Sequence, residues 1–334
     1  MSAIRLGTRA STLATTQSEM VAGLLRSEGL DVNLTTITTH GDTSTASLAA
    51  MGGIGVFASA IRAALLEGEA DIAVHSFKDL PTGRPLGLAI GAVPARADPR
   101  DALVARDGLT LHDLPQEASV GTGSPRRAAQ LLAVRPDLTI VDIRGNVDTR
   151  LGRVKGLGHY AKGGGKEDLD AVVLAASGLA RLGHSGTVTE FLDPSVVLPA
   201  PAQGALAVEC RTADSRHGKL AKALARIDDR RTRLAATAER AVLSHLEAGC
   251  AAPIGALAQL KPVSGSSPQV LTLDVVVATV DGSRIIREQV SVELPAEVDS
   301  ALAAAHTLGV TAAEELLDDG AADVADLKAS GSTR

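Results

Sequence analysis

Short apolar runs typical of buried strands alternate with stretches of helical spacing along the first part of the chain. Residues 4–6 predict a strand, and a helix begins after its predicted N-cap Ser11 and stops at Gly29. Residues 32–38 and 71–75 predict two further strands with a stretch of helical spacing between them. This alternation is typical of an α/β domain with a mostly parallel sheet.

A second block of the same kind starts near residue 98. Its predicted strands are 102–104, 119–121, 138–143 and 171–175, and its predicted helices are 125–134 and 147–154. A stretch at 157–168, which contains GGG at 163–165, predicts a surface loop. A strand at 205–210 is expected to return to the first sheet.

The pattern changes from about residue 213. A long helix leads to Cys250, strands follow near 270–279 and 285–292, and helical spacing continues towards the end. The predicted fold class is therefore α/β, with two doubly wound domains and a smaller α+β C-terminal domain. The predicted domain limits are 1–94 with 205–212, then 95–204, then 213–328, followed by a polar tail at 329–334.

The composition restricts the class of function. Of the 334 residues 45% are hydrophobic, which is ample for globular cores, and no apolar run approaches the roughly 20 residues of a membrane span. The first residues lead into a strand without a signal-peptide apolar core, so we expect a cytoplasmic protein with no membrane partner. A formal charge of −6 and the absence of Trp argue against a nucleic-acid partner. The scattered histidines and the two cysteines lack metal-ligand spacing, so no metal site is predicted.

Polar side chains recur at the carboxyl ends of the predicted strands, where open α/β sheets bind ligands. The first strand is followed by TRAS at 8–11, and the third is followed by SFKD at 76–79. In the second block, strands are followed by GTGSPRR at 121–127 and RGNVDTR at 144–150. The sequence therefore predicts a ligand site that both blocks line.

Arginine collects at these positions. Ser124 is a natural N-cap and Pro125 a natural first helical residue, which places two arginines, Arg126 and Arg127, in the first turn. Exposed cations there oppose the helix dipole at about 0.3 to 1 kcal/mol each, so an anionic ligand would explain them; a pair of solvated arginines is the alternative. Further arginines occupy predicted loops: Arg9, Arg96, Arg144 and Arg150. Several guanidinium groups in one cleft suit a ligand with many carboxylates.

Two further features indicate chemistry. Lys78 and Asp79 end an apolar strand beside a tight turn, so the carboxylate is expected to point into the cleft; a structural ion pair between the two is the alternative. Cys250 lies between glycine and alanine just past a predicted helix, a position that suits covalent chemistry. Free cysteine is also commonly buried as a small hydrophobe, which is how Cys210 is interpreted.

These motifs together resemble one family, the porphobilinogen deaminases, which are also called hydroxymethylbilane synthases. The resemblance covers nearly the whole chain, and several such runs in one order make accidental similarity improbable. The matching runs are TRAS (8–11), GGIGVF (52–57), HSFKDLP (75–81), DPRD (98–101), GTGSPRR (121–127), RGNVDTR (144–150), PAQG (201–204) and LEAGC (246–250).

The resemblance implies an enzyme, a transferase that condenses four porphobilinogen molecules head to tail into hydroxymethylbilane and releases ammonia. It implies a dipyrromethane primer, made from substrate and bound to Cys250 through a thioether. It also implies a monomer of three domains, the first two like periplasmic binding proteins, with the cofactor in the cleft between them. Each porphobilinogen has an acetate and a propionate, which agrees with the arginines.

The family motifs also imply a role for each candidate residue. Asp79 would be the catalytic carboxylate, stabilising the cation left when porphobilinogen loses ammonia. The primer would be held by Lys78, Asp98, Ser124, Arg126, Arg127 and Arg150. The incoming unit or the growing chain would be bound by Arg9, Ser11, Gln17, Phe57, Arg96, Arg144 and Gln203.

One departure from the family pattern concerns the segment at 42–55. Some members have lysines where this chain has Ala50 and Ile54, so lysines at these positions cannot be essential here. GGIG at 52–55 lacks the GKS or GKT ending of a phosphate loop, and we interpret it as a hinge for this segment.

Two other functions stay open from the residues alone. A non-catalytic binding protein for a polycarboxylate would have the same bilobed architecture, but it would need no thiol adduct at Cys250. A hydrolase with a cysteine nucleophile would need His and Asn or Asp arranged to activate Cys250, and no such arrangement is recognisable.

Overall fold

The computed structural model describes residues 3–37, 56–83, 85–248, 252–261 and 269–325. The predicted hinge segment at 42–55, Cys250 and the predicted tail all lie outside the described residues. The strands are β1 Ile4–Thr8, β2 Val32–Thr36, β3 Ile72–Ser76, β4 Leu88–Ala92, β5 Asp101–Ala105, β6 Ser119–Gly121, β7 Thr139–Val141, β8 Ala171–Ala175, β9 Glu190–Phe191, β10 Leu206–Arg211, β11 Ile254–Leu260, β12 Gln269–Ala278 and β13 Ile285–Leu294. The α-helices are α1 Thr12–Ser27, α2 Val56–Leu66, α3 Pro125–Val134, α4 Val147–Leu151, α5 Ala176–Arg181, α6 Gly218–Ile227, α7 Arg230–His245, α8 Val298–Asp318 and α9 Ala321–Val324.

Two of the sheets share one strand order. The first sheet has the order β2-β1-β3-β10-β4, and the second has β7-β6-β8-β5-β9. In each, the first three strands are parallel and the fourth runs antiparallel to the third. The antiparallel strand β10 follows the second domain along the chain, whereas β5 directly follows the first domain. The chain therefore crosses between the two domains twice, at 93–100 and at 199–205.

Helices cover both faces of the second sheet, as the doubly wound prediction requires. Successive residues of β8 point to opposite faces. Val173 packs with Leu131 of α3, and Val172 packs with Leu179 of α5. The predicted fold class is confirmed as α/β with two doubly wound domains and a smaller C-terminal domain.

The third domain is an antiparallel sheet with the order β11-β12-β13, and α7 and α8 pack on one of its faces. Alternate residues of β12, from Leu271 to Val277, are fully buried beneath these helices. Gly309 of α8 allows the two helices to touch, because a Cβ there would lie 2.2 Å from the Ala238 carbonyl oxygen. Burial of apolar side chains between the sheet and the two helices stabilises this domain.

The segment at 213–227, which the sequence analysis places in the third domain, packs instead against the first sheet. Its helix α6 buries Ala223 and Leu224 in the same core as Val208 and Cys210 of β10. The helix follows β10 after a short turn, so its apolar face meets the sheet that β10 has just completed. Burial raises the pKa of the Cys210 thiol to about 11, which keeps it protonated at neutral pH.

The glycine-rich loop at 157–168 folds back onto the end of α4. Helix α4 ends at Leu151, three residues earlier than the predicted limit, and Gly152 is its C-cap. A Cβ on Gly165 would lie 1.6 Å from the Gly152 carbonyl oxygen, so only glycine fits at position 165. The contact between the two backbones accounts for a glycine in this part of the loop.

A single buried carboxylate, Glu239 of α7, joins all three domains. Its Oε1 accepts hydrogen bonds from Ala258 N of β11 at 2.8 Å and from Arg96 Nη1 at 2.6 Å. Its Oε2 accepts hydrogen bonds from Ala202 N at 2.5 Å and from Arg96 Nη2 at 3.0 Å. Arg96 lies on the first crossover and Ala202 on the second. Both crossovers are thus fixed to the third domain through one side chain.

We predict that Glu239→Gln lowers the free energy of unfolding by about 3 kcal/mol, because it leaves the buried guanidinium of Arg96 without a counter-charge. Denaturant unfolding at neutral pH measures this loss. The control is Glu19→Gln, which removes an exposed pair with Arg26 and should cost less than about 1 kcal/mol. Equal losses in the two variants would show that the junction does not depend on the charge of Glu239.

Candidate functional site

The candidate site lies between the first two domains, where strand ends face each other. β3 continues directly into a single 3-10 turn, Phe77–Asp79, which contains Lys78. On the opposite side, α3 begins at Pro125, as predicted. Gly123 brings the loops after β6 and β7 together, because a Cβ on this residue would lie 2.6 Å from the Ile143 carbonyl oxygen.

The carboxylate of Asp101 binds both arginines in the first turn of α3. Asp101 is the first residue of β5 and is fully buried. Arg126 Nη1 lies 2.8 Å from its Oδ2, and Arg127 Nη2 lies 2.7 Å from its Oδ1. Burial alone would raise the pKa of Asp101, but the two guanidinium charges hold it well below its ordinary value. The arginines that the sequence predicts at this helix start are therefore buried and share an internal counter-ion.

Gln203 connects this ion group to the first domain. Its Nε2 donates hydrogen bonds to Asp101 Oδ1 and to the Pro99 carbonyl oxygen, both at 2.8 Å. Its Oε1 accepts a hydrogen bond from Lys78 Nζ at 3.3 Å. Lys78 of the first domain and Asp101 of the second are thus linked through one amide on the second crossover.

Five cations form what we call the cationic cluster: Lys78, Arg126, Arg127, Arg144 and Arg150. Burial lowers the pKa of Lys78; the charges of Asp79 and Asp101 oppose this shift, and those of Arg127 and Arg126 add to it. Burial also lowers the pKa of Arg150; the charges of Arg127 and Arg144 add to the shift, and that of Asp142 opposes it. Cations that lower each other's pKa values repel one another, so a further anion placed among them is favourable. The cluster therefore fits a ligand with several carboxylates.

Helix α4 brings Arg150 to this cluster. Asn146 caps the helix by accepting a hydrogen bond from Thr149 N at 2.8 Å, and Arg150 Nε donates to the Gly145 carbonyl oxygen at 2.9 Å. Elsewhere on the same short helix, Asp148 Oδ1 lies 2.7 Å from His184 Nε2. The helix is thus attached at its start and through Asp148, and Arg150 remains beside the other cations.

The side chains of Ser124 and Asp79 do not hold the described part of the fold together. Ser124 is the N-cap of α3 by backbone geometry, but its side chain makes no capping hydrogen bond. The Asp79 side chain is exposed, and no ion pair involves it among the described residues. Its charge acts on Lys78, its neighbour in the turn. A hydroxyl and a carboxylate are therefore available at the cleft.

Arg96 and Asp98, on the first crossover, bind groups within the protein. Beyond its pair with Glu239, Arg96 donates through Nε to the Gln203 carbonyl oxygen at 2.7 Å. Asp98 pairs with Arg100 at 2.6 Å, and these hydrogen bonds hold the pKa of Asp98 below its ordinary value. Both side chains therefore bind groups of the protein itself.

The remaining candidates lie in the first domain. Arg9 follows β1 and is half-buried, and Gln17 is buried in α1. The Ser11 hydroxyl caps α1 by accepting a hydrogen bond from Ala14 N at 3.4 Å. Phe57 lies in α2. Helix α1 contacts α5, so this part of the first domain reaches the second.

Two residues of the site are not among those the sequence predicts. Asp101 belongs to the same DPRD motif as Asp98, but its pairing with two arginines 25 and 26 residues away is a tertiary contact that no local pattern shows. Arg181, at the end of α5, donates to the Gly204 carbonyl oxygen at 2.7 Å, and burial lowers its pKa. Basic residues commonly end helices, so its sequence position gives no signal of a site.

No group of His, Cys, Asp and Glu that could hold a metal occurs within the described ranges. In the same part of the chain, none of the helices has the length and apolar character needed to cross a bilayer.

Two family models match the chain over most of its length. Residues 4–219 match the dipyromethane cofactor binding domain of porphobilinogen deaminase, and residues 233–318 match the porphobilinogen deaminase C-terminal domain. The chain belongs to the porphobilinogen deaminase family. Relatives with that name include proteins from Cutibacterium acnes, 97% identical over 100% of both chains, and from Micrococcus luteus, 52% identical over 96% of this chain and 94% of the relative.

A further relative of this name, from Mycobacterium avium, is 49% identical over 96% of each chain. Among solved structures, a periplasmic substrate-binding protein of an ABC transporter from Coxiella burnetii is 18% identical, with a TM-score of 0.37 over 67% of this chain and 91% of that chain. Family membership confirms the resemblance on which the sequence-based prediction of a cofactor domain rests.

We predict that Asp101→Asn lowers the free energy of unfolding by about 3 to 5 kcal/mol at neutral pH, since it leaves buried guanidinium groups unpaired. The pKa of Asp101 is depressed in the folded protein, so its contribution is present above the pKa of unfolded aspartate, about 3.9, and is lost as the pH falls below it. The difference between wild type and variant should therefore shrink as the pH is lowered from about 4.

Denaturant unfolding between neutral and acid pH measures both effects. The control is Asp107→Asn, at an exposed residue with a φ of 58° that asparagine tolerates, and it should change stability by less than about 1 kcal/mol. A constant difference between wild type and Asp101→Asn at every pH would contradict the assigned charge state.

Proposed function

We propose that this chain is a transferase that condenses four porphobilinogen molecules head to tail into hydroxymethylbilane and releases ammonia. The cationic cluster supports this most directly, because the acetate and propionate groups of a chain of pyrroles are suitable anions for the five cations gathered there. Family membership and the 97% identical relative agree with it. We also propose that the protein acts as a monomer in the cytoplasm.

The residues at the cleft fit the dipyrromethane cofactor that the family model names. Buried cations and the Ser124 hydroxyl, which does not cap its helix, suit its acetate and propionate groups. We assign its binding to Lys78, Ser124, Arg126, Arg127 and Arg150, and its covalent attachment to Cys250. When bound, the cofactor supplies the pyrrole to which substrate units are added. Asp101 and Gln203 hold the cations in place for it.

Asp79 is the proposed catalytic carboxylate. When the protonated amino group of porphobilinogen leaves as ammonia, the electron pair of the breaking C–N bond leaves with the nitrogen, and the pyrrole becomes a cation. A carboxylate close to the pyrrole nitrogen stabilises this charge, and it can also hold the nitrogen's proton by a hydrogen bond. Exposure of Asp79 and its lack of an ion pair among the described residues leave it available for this role.

The incoming substrate is assigned to the residues around the cluster. Arg9 and Arg144 are charged groups near the ends of β1 and β7, and Arg144 is exposed, 3.5 Å from Asp142. Ser11, Gln17 and Phe57 belong to the first-domain side of this region. Arg96 and Asp98 bind groups of the protein itself, so we assign them to holding the crossover in place. We assign Arg181, which binds the Gly204 carbonyl oxygen, to the substrate-binding residues.

The attachment of the cofactor is tested by the intact mass of the purified protein. We predict a mass greater than that of the sequence by two linked pyrrole units, and Cys250→Ser should lose both this mass and turnover. The matched control is Cys210→Ser, at the other cysteine, which should keep both because the Cys210 thiol is buried and protonated. A wild-type mass equal to the sequence mass, with porphobilinogen bound but not converted, would favour a binding protein instead.

We predict that Asp79→Asn folds and loses turnover by at least about a hundredfold. A unit charge ~4 Å from the developing cation at an effective dielectric of ~20 is worth about 4 kcal/mol, or about a thousandfold in rate. Asp79→Glu should keep more activity, since the charge survives at a position displaced by a methylene. Single-turnover rates with porphobilinogen compare the three proteins.

The control for charge in the same cleft is Asp142→Asn, at an exposed carboxylate beside Arg144. It should change the rate by less than about fivefold, because an exposed ion pair is worth less than about 1 kcal/mol. A rate for Asp79→Asn equal to that of wild type would assign Asp79 to structure alone.

A further inference from the structure

Arg240, on the third-domain helix α7, binds the backbone on both sides of Lys78 and Asp79. Its Nη1 donates hydrogen bonds to the Phe77 carbonyl oxygen at 2.9 Å and to the Leu80 carbonyl oxygen at 2.7 Å. Its Nη2 donates to the Pro81 carbonyl oxygen at 2.7 Å. One guanidinium group therefore holds three carbonyl groups of the turn that presents the proposed catalytic carboxylate.

The Phe77–Asp79 turn has few hydrogen bonds of its own, so it depends on donors from another part of the chain. It is a single 3-10 turn, closed by one hydrogen bond from Leu80 N to the Phe77 carbonyl oxygen at 3.3 Å, and its N-cap Ser76 makes no side-chain capping bond. Short helices leave carbonyl groups at their ends without intrahelical partners. Arg240 supplies donors at this position.

Apolar contacts fix the same turn to α7. The Arg240 guanidinium stacks over the Phe77 ring, with its Cζ 4.4 Å from the ring centroid. Ala236, one helical turn before Arg240, shares a buried cluster with Phe77 and Leu80. The two side chains that flank Lys78 and Asp79 are thus buried against α7, while Asp79 itself is exposed.

We propose that Arg240 is a positioning residue that sets the location of the Asp79 carboxylate. This inference rests on the proposed function, in which Asp79 must lie close to the substrate cation. Displacements of about 1 Å in a reacting geometry can cost about a hundredfold in rate, so a clamp on both sides of Asp79 has a catalytic consequence. A lysine at this position cannot reproduce the fork or the stacking of guanidinium on the ring.

The first experiment compares Arg240→Lys with Arg233→Lys. Arg233 lies on the same helix and contacts the Ile90 carbonyl oxygen of the first domain at 3.4 Å, but it does not touch the turn. In proteins that have the cofactor mass, Arg240→Lys should lower kcat between about tenfold and a hundredfold with KM for porphobilinogen changed less than about threefold. Arg233→Lys should leave kcat within about threefold of wild type.

The second experiment is a double-mutant cycle with Asp79→Asn, read out by single-turnover rates. If Arg240 acts through Asp79, Arg240→Lys should cost much less in the Asp79→Asn protein than in wild type. Full additivity would overturn the proposal, because a purely structural contribution would persist without the carboxylate. Thermal unfolding of each variant, measured in parallel, tests whether a loss of rate follows a loss of stability.

The outcomes separate this inference from the proposed function. If wild type does not convert porphobilinogen, the proposed function fails. If wild type does so and Arg240→Lys has the same kcat, the positioning role of Arg240 is wrong. If Arg240→Lys and Arg240→Gln both fail to fold while Arg233→Lys folds, Arg240 is a residue of the fold and the proposal is overturned. A large rise in KM with unchanged kcat would assign Arg240 to substrate binding, which also overturns it.

Discussion

Two buried arginines can occupy the first turn of one helix in this protein because a buried carboxylate lies between them. Without Asp101, Arg126 and Arg127 would face each other and the positive end of the helix dipole, with no water to screen them. With it, they are held by an ion group that Gln203 extends to Lys78 in the other domain. Five cations gather here against three carboxylates, Asp101, Asp79 and Asp142. The remaining positive charge is the property that the proposed substrate requires.

The same device, a buried carboxylate paired with arginine, is repeated at the junction of the three domains. There, Glu239 is the buried group, and backbone N–H groups and Arg96 satisfy it completely. Because Gln203 binds Arg96 through its carbonyl oxygen and Asp101 through its side chain, it links the two ion groups. The junction of the domains and the candidate site therefore form one connected network. Adjacent residues of α7, Glu239 and Arg240, connect it to both crossovers and to the turn that contains Asp79.

The sequence correctly predicted elements whose limits are set by neighbouring residues in the chain, such as a capping residue. Ser124 and Pro125 gave the start of α3 correctly, and the helix ends at Val134 as predicted. The strand at 119–121 is confirmed as well. By contrast, the sequence analysis did not predict β11, which follows Pro253. Its short apolar run has neither the alternation of apolar and polar residues typical of a strand nor helical spacing. Its partner β12 defines it, and that pairing is a tertiary contact.

The order of the strands also has a consequence for how the chain folds during synthesis. The second domain is continuous in sequence from β5 to β9, so all of its sheet is available once that segment has left the ribosome. The first domain begins earlier but lacks the strand between β3 and β4 until β10 has been made. In this topology, the domain that is started first is the one that must be completed last. Until then, β3, which leads into the turn that contains Asp79, has an unpaired edge. Unpaired strand edges are prone to pair with other chains.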